Sequence, residues 1–178
     1  MINDIQKGNK LEICVLNKYE AILPKKLLEL WKEYGYATIL NGYMKVVNPD
    51  DYQELIHDSY FRGNVAIPVF ISAFGDVITI EDEQYIGMVK FKNGDFSIIA
   101  KNIDRFIQNL DDEYFQEKYL ELNQYEKAVS RLGELEYDEC FGYVPLLGLG
   151  GCEKVENLQK VKIKEHIELI TQLVGKIK

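Results

Sequence analysis

The chain has 178 residues, of which 47% are hydrophobic and 12% aromatic, a composition that indicates a globular protein and excludes an intrinsically disordered one. Its formal net charge of −8 argues against direct contact with nucleic-acid phosphates, which requires clustered Lys and Arg. Three cysteines outside any CxxC motif, no apolar run of membrane-spanning length and no leader-like N-terminal segment predict a cytoplasmic protein that does not enter a membrane.

The first third of the chain is predicted to contain helices and one hairpin. Residues 11–22 form either a short helix or a strand. After Pro24, apolar residues at helical spacing predict a helix that has Trp31 in the core and ends at Gly35. The pair Asn41-Gly42 predicts a hairpin turn within residues 37–47. Asn48, followed by a proline and two acids, predicts the N-cap of a short helix that reaches about residue 57.

Residues 65–100 are predicted to form the sheet. Runs of β-branched and aromatic residues alternate with short turns, one of them at Asn93-Gly94. Strands joined by such short turns pair in antiparallel fashion as a meander. Pro68 lies inside the first run and predicts an edge strand or a bulge, because proline cannot donate to the hydrogen-bond ladder.

The last third of the chain returns to helical patterns. Asn102 predicts the cap of one helix and Asp111 the cap of a second, and a third helix spans residues 124–132. A final amphipathic helix follows a short alternating segment at residues 161–163. The predicted class is α+β: an antiparallel or mixed sheet, built as a meander, flanked by N-terminal and C-terminal helices.

Residues 111–140 hold ten acidic and three basic residues, whereas the segment after them is slightly basic. Such a block is either a solvated helical face or a surface for a basic partner. The carboxylates Glu136, Asp138 and Glu139 could also serve as a general acid–base set, although runs of this kind more often lie on the surface or cap backbone amides.

No cofactor or metal motif is found. The run Gly148-Leu149-Gly150-Gly151 lacks the third glycine of a dinucleotide fingerprint and the Lys of a phosphate loop. We therefore predict that Tyr143 to Gly151 is a buried, tightly turned segment that closes the core. Cys140 is a poor nucleophile candidate, because neighbouring carboxylates raise the pKa of a thiol.

Two sets of residues resemble known families. The first set resembles the GAD-like domain: Leu23-Pro24, Leu30-Trp31, Asn41-Gly42-Tyr43, Asn48-Pro49-Asp50-Asp51-Tyr52 and Phe74-Gly75-Asp76. The second set is similar to the C-terminal domain of immunity proteins that neutralise type VI secretion DNase toxins: Leu132-Gly133, the run from Tyr137 to Gly151, His166 and Gln172-Leu173. The first set also looks somewhat like the broader SMI1/KNR4-type immunity fold. Residues 1–109 are thus the expected GAD-like part and residues 110–178 the expected immunity part, packed as one compact unit.

The resemblance implies a bacterial immunity protein, not an enzyme, that binds a cognate toxin, expected to be a basic nuclease. It needs no cofactor and is expected to be a monomer or weak dimer. The candidate contacts combine acids with three aromatic anchors: Asp111, Asp112, Glu113, Glu117, Glu136, Tyr137, Asp138, Glu139, Phe141 and Tyr143. The alternatives are a small-ligand or enzymatic domain that uses residues 136–151, with Asp138, Glu139 and His166 converging on a pocket, and an oligomerisation module.

Overall fold

The computed structural model describes residues 4–178, so residues 1–3 of the predicted GAD-like part lie outside it. The chain begins with two helices, α1 (Ile13–Tyr19) and α2 (Lys25–Tyr34). Pro24 immediately precedes α2, and Gly35 ends the helix in a positive-φ conformation, φ 67°. Trp31 is buried and meets Tyr19 edge-on with ring centroids 6.2 Å apart, which confirms its predicted place in the core.

Six antiparallel strands form the central sheet, in the spatial order of the sequence. The strands are β1 (Thr38–Ile39), β2 (Met44–Val46), β3 (Ala66–Ser72), β4 (Val77–Glu81), β5 (Tyr85–Lys90) and β6 (Asp95–Ala100). The predicted meander is confirmed, and so is the hairpin at Asn41-Gly42, where β1 pairs with β2. The register of β3 shifts between Pro68 and Phe70. The bulge therefore accommodates the proline inside an interior strand.

Five further helices pack around this sheet. They are α3 (Gln53–Ser59), α4 (Ile103–Asn109), α5 (Glu113–Phe115), α6 (Leu122–Leu132) and α7 (Ile163–Val174). A π-helical segment, Gln116–Leu120, continues α5. The Asn102 side chain caps α4, as predicted, by accepting a 2.9 Å hydrogen bond from the backbone N–H of Arg105. Asp112, rather than the predicted Asp111, caps α5 by accepting from the N–H of Phe115 at 2.8 Å.

A separate two-stranded hairpin, β7 (Glu139–Tyr143) and β8 (Leu158–Lys162), stands beside the sheet. The sequence indicated only part of β8 and did not indicate β7. The backbone N–H of Phe141 donates to the carbonyl of Ala73 at 2.7 Å, so β7 also touches the turn between β3 and β4. Alternate residues of β7 face opposite sides: Phe141 joins one core cluster and Cys140 the other.

Both faces of the sheet are buried. One core cluster includes residues of α1, α2, α4, α5 and α6, and the other includes residues of α3 and α7. Neighbouring residues of β3, Phe70 and Ile71, belong to different clusters, as strand alternation requires. The first cluster joins the two predicted parts, since Tyr43 and Tyr125 meet at 5.3 Å and Phe74 and Phe141 at 6.4 Å. The α+β class is confirmed, while the boundary at residues 109/110 stays a prediction.

None of the helices formed by residues 4–178 combines the length and the hydropathy needed to cross a membrane.

Candidate partner-binding site

The acidic turn, residues 136–139, is held in place by a buried lysine. Lys45 of β2 is 1% exposed, and its Nζ donates to the backbone carbonyls of Glu136 at 2.5 Å and Glu139 at 2.6 Å. Burial lowers the pKa of Lys45 to about 8, because desolvation penalises the charged ammonium, while the nearby Cys140 and carboxylates oppose that shift. The turn is therefore tied to the sheet through its backbone.

The side chains of the acidic turn are also engaged within the protein. The carboxylate of Asp138 lies 2.8 Å from Lys162 Nζ, and that of Glu139 lies 3.7 Å from it. The hydrogen bond from Lys162 lowers the pKa of Asp138. The hydroxyl of Tyr137 donates to the carbonyl of Val46. Much of the polar surface of the turn is thus committed to internal contacts.

A second acidic region, the acidic helix surface, comprises residues 111–117 around α5. Asp111, Asp112, Glu113 and Glu117 are all exposed. Within residues 4–178, no Lys or Arg lies within salt-bridge distance of the carboxylates of Asp112, Glu113 or Glu117. Asp112 is used as a helix cap, and Glu117 accepts from the N–H of Asn123 at 3.1 Å. The carboxylates of Asp112, Glu113 and Glu117 therefore form no salt bridge with a residue of the described part of the chain.

Tyr114 lies in the middle of this surface and is 69% exposed. Lys118 places its ammonium 5.3 Å from the Tyr114 ring centroid and 5.0 Å from that of Tyr119. Tyr114 was not among the aromatic anchors predicted from the sequence. Its helical phase was the available signal: Phe115 and Tyr119 are four residues apart and pack inward with ring centroids 5.0 Å apart, so the preceding residue faces outward.

The two acidic regions lie near opposite edges of the sheet. The acidic turn contacts β2, next to the edge strand β1. The helix surface packs on α4, where Phe106 and Phe115 meet at 6.1 Å, and it shares a surface cavity with Ile99 of the other edge strand, β6. The acidic segment that looked continuous in the sequence is therefore divided into two separate regions.

Another acid of the same segment, Glu121, belongs to a largely buried charged cluster. Its carboxylate accepts from Lys90 at 2.7 Å and also from Lys92. These two lysines lower the pKa of Glu121 against the opposing effect of burial. Asp76 lies buried in the same region, and its burial raises its pKa. Because Lys90 and Lys92 precede residue 110 and Glu121 follows it, the cluster joins the two predicted parts.

Two of the predicted anchors are core residues. Phe141 and Tyr143 are almost completely buried, and Gln124 donates to the Tyr143 hydroxyl. Their positions in β7 turn both rings toward the core, where they pack against Phe74, Tyr125 and Lys92. Burial in this conformation does not favour either ring as an anchor, and their part in partner binding stays a prediction.

The segment from Tyr143 to Gly151 is also different from the prediction. Only Tyr143 is buried: Val144 is 43% and Leu149 62% exposed, and Leu146 and Leu147 are half-buried. The segment packs against α7 at the surface instead of closing the core, and after Tyr143 only Leu146 and Leu147 contact the core clusters, as partly buried residues.

The ligand-binding alternative predicted that Asp138, Glu139 and His166 converge on one pocket, and the structure does not bring these three side chains together. Asp138 and Glu139 contact Lys162, whereas the ring of His166 packs on Gly142, where an added Cβ would lie 2.5 Å from Cε1 of His166. Among residues 4–178 no group of three or more His, Cys, Asp or Glu side chains could hold a metal ion.

Comparison with family models gives the class of protein. Residues 2–93 match the model of the GAD-like domain, which covers more than half of the chain, and the chain belongs to that family. Residues 100–174 match the model described as T6SS immunity protein Tdi1, C-terminal. Together the two matches indicate a role in immunity to a type VI secretion toxin and, with it, binding to a cognate toxin.

Among solved structures, the fold is similar to that in the crystal structure of Atu4351 from Agrobacterium tumefaciens. The TM-score is 0.77, the identity is 17%, and the match covers 97% of this chain and 84% of that chain. At this identity the similarity shows a shared fold. No curated protein sequence matches the chain.

Proposed function

We propose that the protein is a type VI immunity protein that neutralises its cognate toxin by stoichiometric binding and does not act as an enzyme. The observation that carries this proposal is the presence of both family matches in order, over residues 2–93 and 100–174. A surface that binds a toxin needs shape and charge, and no catalytic group. The proposed place of action is the cytoplasm, where the toxin would act, and the proposed free state is a monomer or weak dimer.

The proposed toxin is a nuclease with a basic, nucleic-acid-binding cleft. Exposed acids that form no salt bridge attract such a cleft and compete with nucleic acid for it. The acidic helix surface meets this requirement: Asp112, Glu113 and Glu117 lack salt bridges within residues 4–178, and Tyr114 is exposed beside them. The acidic turn of residues 136–139 meets it less well, because Lys45 and Lys162 already engage it.

The direct test uses the product of the gene next to this one. The two proteins are co-expressed, and the complex is weighed by size-exclusion chromatography with light scattering. A fixed stoichiometric complex and loss of the toxin's nuclease activity in vitro are expected. The absence of a complex at micromolar concentration would contradict toxin binding. If a complex forms but the free toxin cleaves no nucleic acid, the proposal of toxin binding would be supported and the proposal that the toxin is a nuclease would be contradicted.

The surface is tested with matched double variants. Glu113→Lys with Glu117→Lys reverses two charges on the acidic helix surface, and Glu126→Lys with Glu134→Lys reverses two other exposed acids of the same segment. Because unscreened opposite charges steer association, the first pair is expected to slow the association rate about tenfold at low salt, and the control pair less than about twofold. Equal effects of the two pairs would place the interface elsewhere.

A further inference from the structure

A cavity beside α7 is the feature that the proposed toxin surface does not use. It has a volume of about 340 Å³, within the range of roughly 300–1,000 Å³ that is typical of small-molecule sites. Most of its wall is apolar and comes from the segment after β7 and from one face of the last helix: Leu146, Leu147, Ile170, Leu173 and Val174. Lys92, Tyr143 and His166 add polar groups to the lining.

Gly148 allows this wall to form. A Cβ at Gly148 would lie 2.9 Å from Cγ1 of Val174 and 3.6 Å from Cδ2 of Leu173, so a larger residue would require these half-exposed side chains to shift. The glycine therefore brings the backbone close to the helix. The glycine-rich run does not match a phosphate-binding motif. In the structure, its first glycine forms part of the cavity wall.

His166 is the most buried polar side chain of the cavity for which the structure of residues 4–178 shows no hydrogen bond. Its side chain lines the cavity, the residue is 8% exposed, and within residues 4–178 its ring makes no hydrogen bond. Its ring nitrogens are not fully enclosed by the protein, so a molecule in the cavity can reach them. Burial also lowers the pKa of His166, so the ring is neutral at pH 7 and offers one donor and one acceptor.

The lysines next to the cavity already have acidic partners. Lys92 is 4% exposed, contacts the carboxylate of Glu121 and lies 3.7 Å from that of Glu153. Lys90 makes a second contact with Glu121 at 2.7 Å. The two lysines therefore face two glutamates and the buried Asp76, whose pKa is raised by burial. An additional charge in the cavity would lack a counterion and would have to lose its hydration, which disfavours both anionic and cationic ligands.

We propose that this cavity binds a small neutral ligand that has an apolar ring or branched chain and a single hydrogen-bonding head, a phenol being the simplest example. The apolar body fills the space between the segment of residues 146–148 and α7, and the head exchanges a hydrogen bond with the imidazole of His166. This site is distinct from the proposed toxin surface and does not depend on the protein's having a toxin partner.

The test uses the two histidines of the chain as probe and internal control. His57 is exposed and lies 2.9 Å from Asp58, outside the cavity, so its NMR signal serves as the reference. With histidine-labelled protein, 4-methylphenol is expected to shift the His166 ring signals saturably, with a Kd of about 1 mM or below, and to leave His57 unchanged. Toluene lacks the head and 4-methylbenzoate carries a charge, so both are expected to bind at least about fivefold more weakly.

Matched variants locate the site. Val174→Phe places a larger, half-exposed side chain in the cavity wall, whereas Leu169→Phe adds the same ring to the same helix outside the lining. The first change is expected to weaken 4-methylphenol binding at least about tenfold and the second less than about twofold. Equal effects of the two variants, non-saturating shifts or equal shifts of both histidines would overturn the proposal. The proposal would also be overturned if the neighbouring gene's product shifted the His166 ring signals and 4-methylphenol did not. The cavity would then belong to a protein interface.

Discussion

The acidic turn at residues 136–139 and the acidic helix surface at residues 111–117 have similar compositions and different environments. Lys45 binds two carbonyls of the turn, and Lys162 pairs with two of its carboxylates. The helix surface has no such lysine near Asp112, Glu113 or Glu117 within residues 4–178. A paired carboxylate projects little field into solvent, and an unpaired one projects more. The comparison shows that the number of acids in a segment does not measure its capacity to attract a basic partner.

The largest expected effect concerns Glu121, an acid of the same segment that lies outside both the turn and the helix surface. Glu121→Gln removes the counterion of Lys90 and Lys92 while preserving the size of the side chain. Leaving two partly buried ammonium groups with fewer partners is expected to lower the free energy of unfolding by about 3 kcal/mol. Urea unfolding, followed by the fluorescence of Trp31, measures the change, with Glu126→Gln as an exposed control. Equal stability of the two variants would show that the cluster is not a structural link.

Tyr114→Ala tests the helix surface without changing its charge. Exposed aromatic side chains at the centre of an interface often dominate the binding energy, so the affinity for the toxin is expected to fall by about 2 kcal/mol. Because Tyr114 is 69% exposed, stability is expected to change by less than about 0.5 kcal/mol. Isothermal titration calorimetry with the toxin gives the affinity, and Tyr85→Ala, another exposed tyrosine, is the control. Unchanged affinity would place the anchor elsewhere.

Lys45 gives a pH-dependent way to examine the turn. Its folded-state pKa of about 8 lies below the ordinary 10.5, so between these values the unfolded chain binds more protons than the folded one. Its contribution to stability is therefore reduced below pH 8 and increases as the pH rises toward 10.5. The difference in unfolding free energy between wild type and Lys45→Met is expected to grow by about 1 kcal/mol or more between about pH 8 and pH 10.

Measuring both proteins by urea unfolding at each pH cancels the contribution of groups other than Lys45. A difference that stays constant or shrinks with pH would mean that the buried lysine does not lose its proton in this range.

The smallest effect is expected for the exposed ion pair of the turn. Asp138→Asn removes the charge that Lys162 contacts at 2.8 Å, but both side chains are largely exposed. Such pairs contribute about 0–1 kcal/mol, and the value falls further at high salt. Thermal unfolding at low and high salt measures it, and Asp58→Asn at an exposed site serves as the control. A loss well above 1 kcal/mol would show that the side-chain pair, and not Lys45, holds the turn.

The sequence predicted best those features that depend on a few neighbouring residues. The turn at Asn41-Gly42 and the cap at Asn102 are local, because each polar side chain or positive φ acts within three residues. The alternation of strands and short turns in the sheet could be predicted for the same reason. Asn48 also caps the residues that follow it, but these form the 3-10 turn Pro49–Asp51, and α3 begins only at Gln53. The cap at Asp112 was displaced by one residue, since two adjacent aspartates offer the same chemistry and only the backbone path chooses between them.

The candidate site depended on contacts that join distant residues. Lys45 is 91 residues from Glu136, and Lys162 is 24 residues from Asp138, so the pairing of the turn left no local pattern in the sequence. Strand β7 also left no local pattern. Its residues Cys140 and Phe141 are both buried, so apolar and polar residues do not alternate along it. The exposure of Leu149 depends likewise on how α7 packs, and not on the glycines beside it.

The hairpin of β7 and β8 has a consequence for how the protein opens. Cys140 and Phe141 are consecutive in the chain, yet they belong to the clusters on opposite faces of the sheet. Helices on either face therefore cannot separate from the sheet without disturbing the same short strand. Local opening of one layer is coupled to the other, which favours a single cooperative unit over two independent ones. The backbone amides of β7 should accordingly exchange with solvent as slowly as those of the central strands, even though β7 lies outside the main sheet.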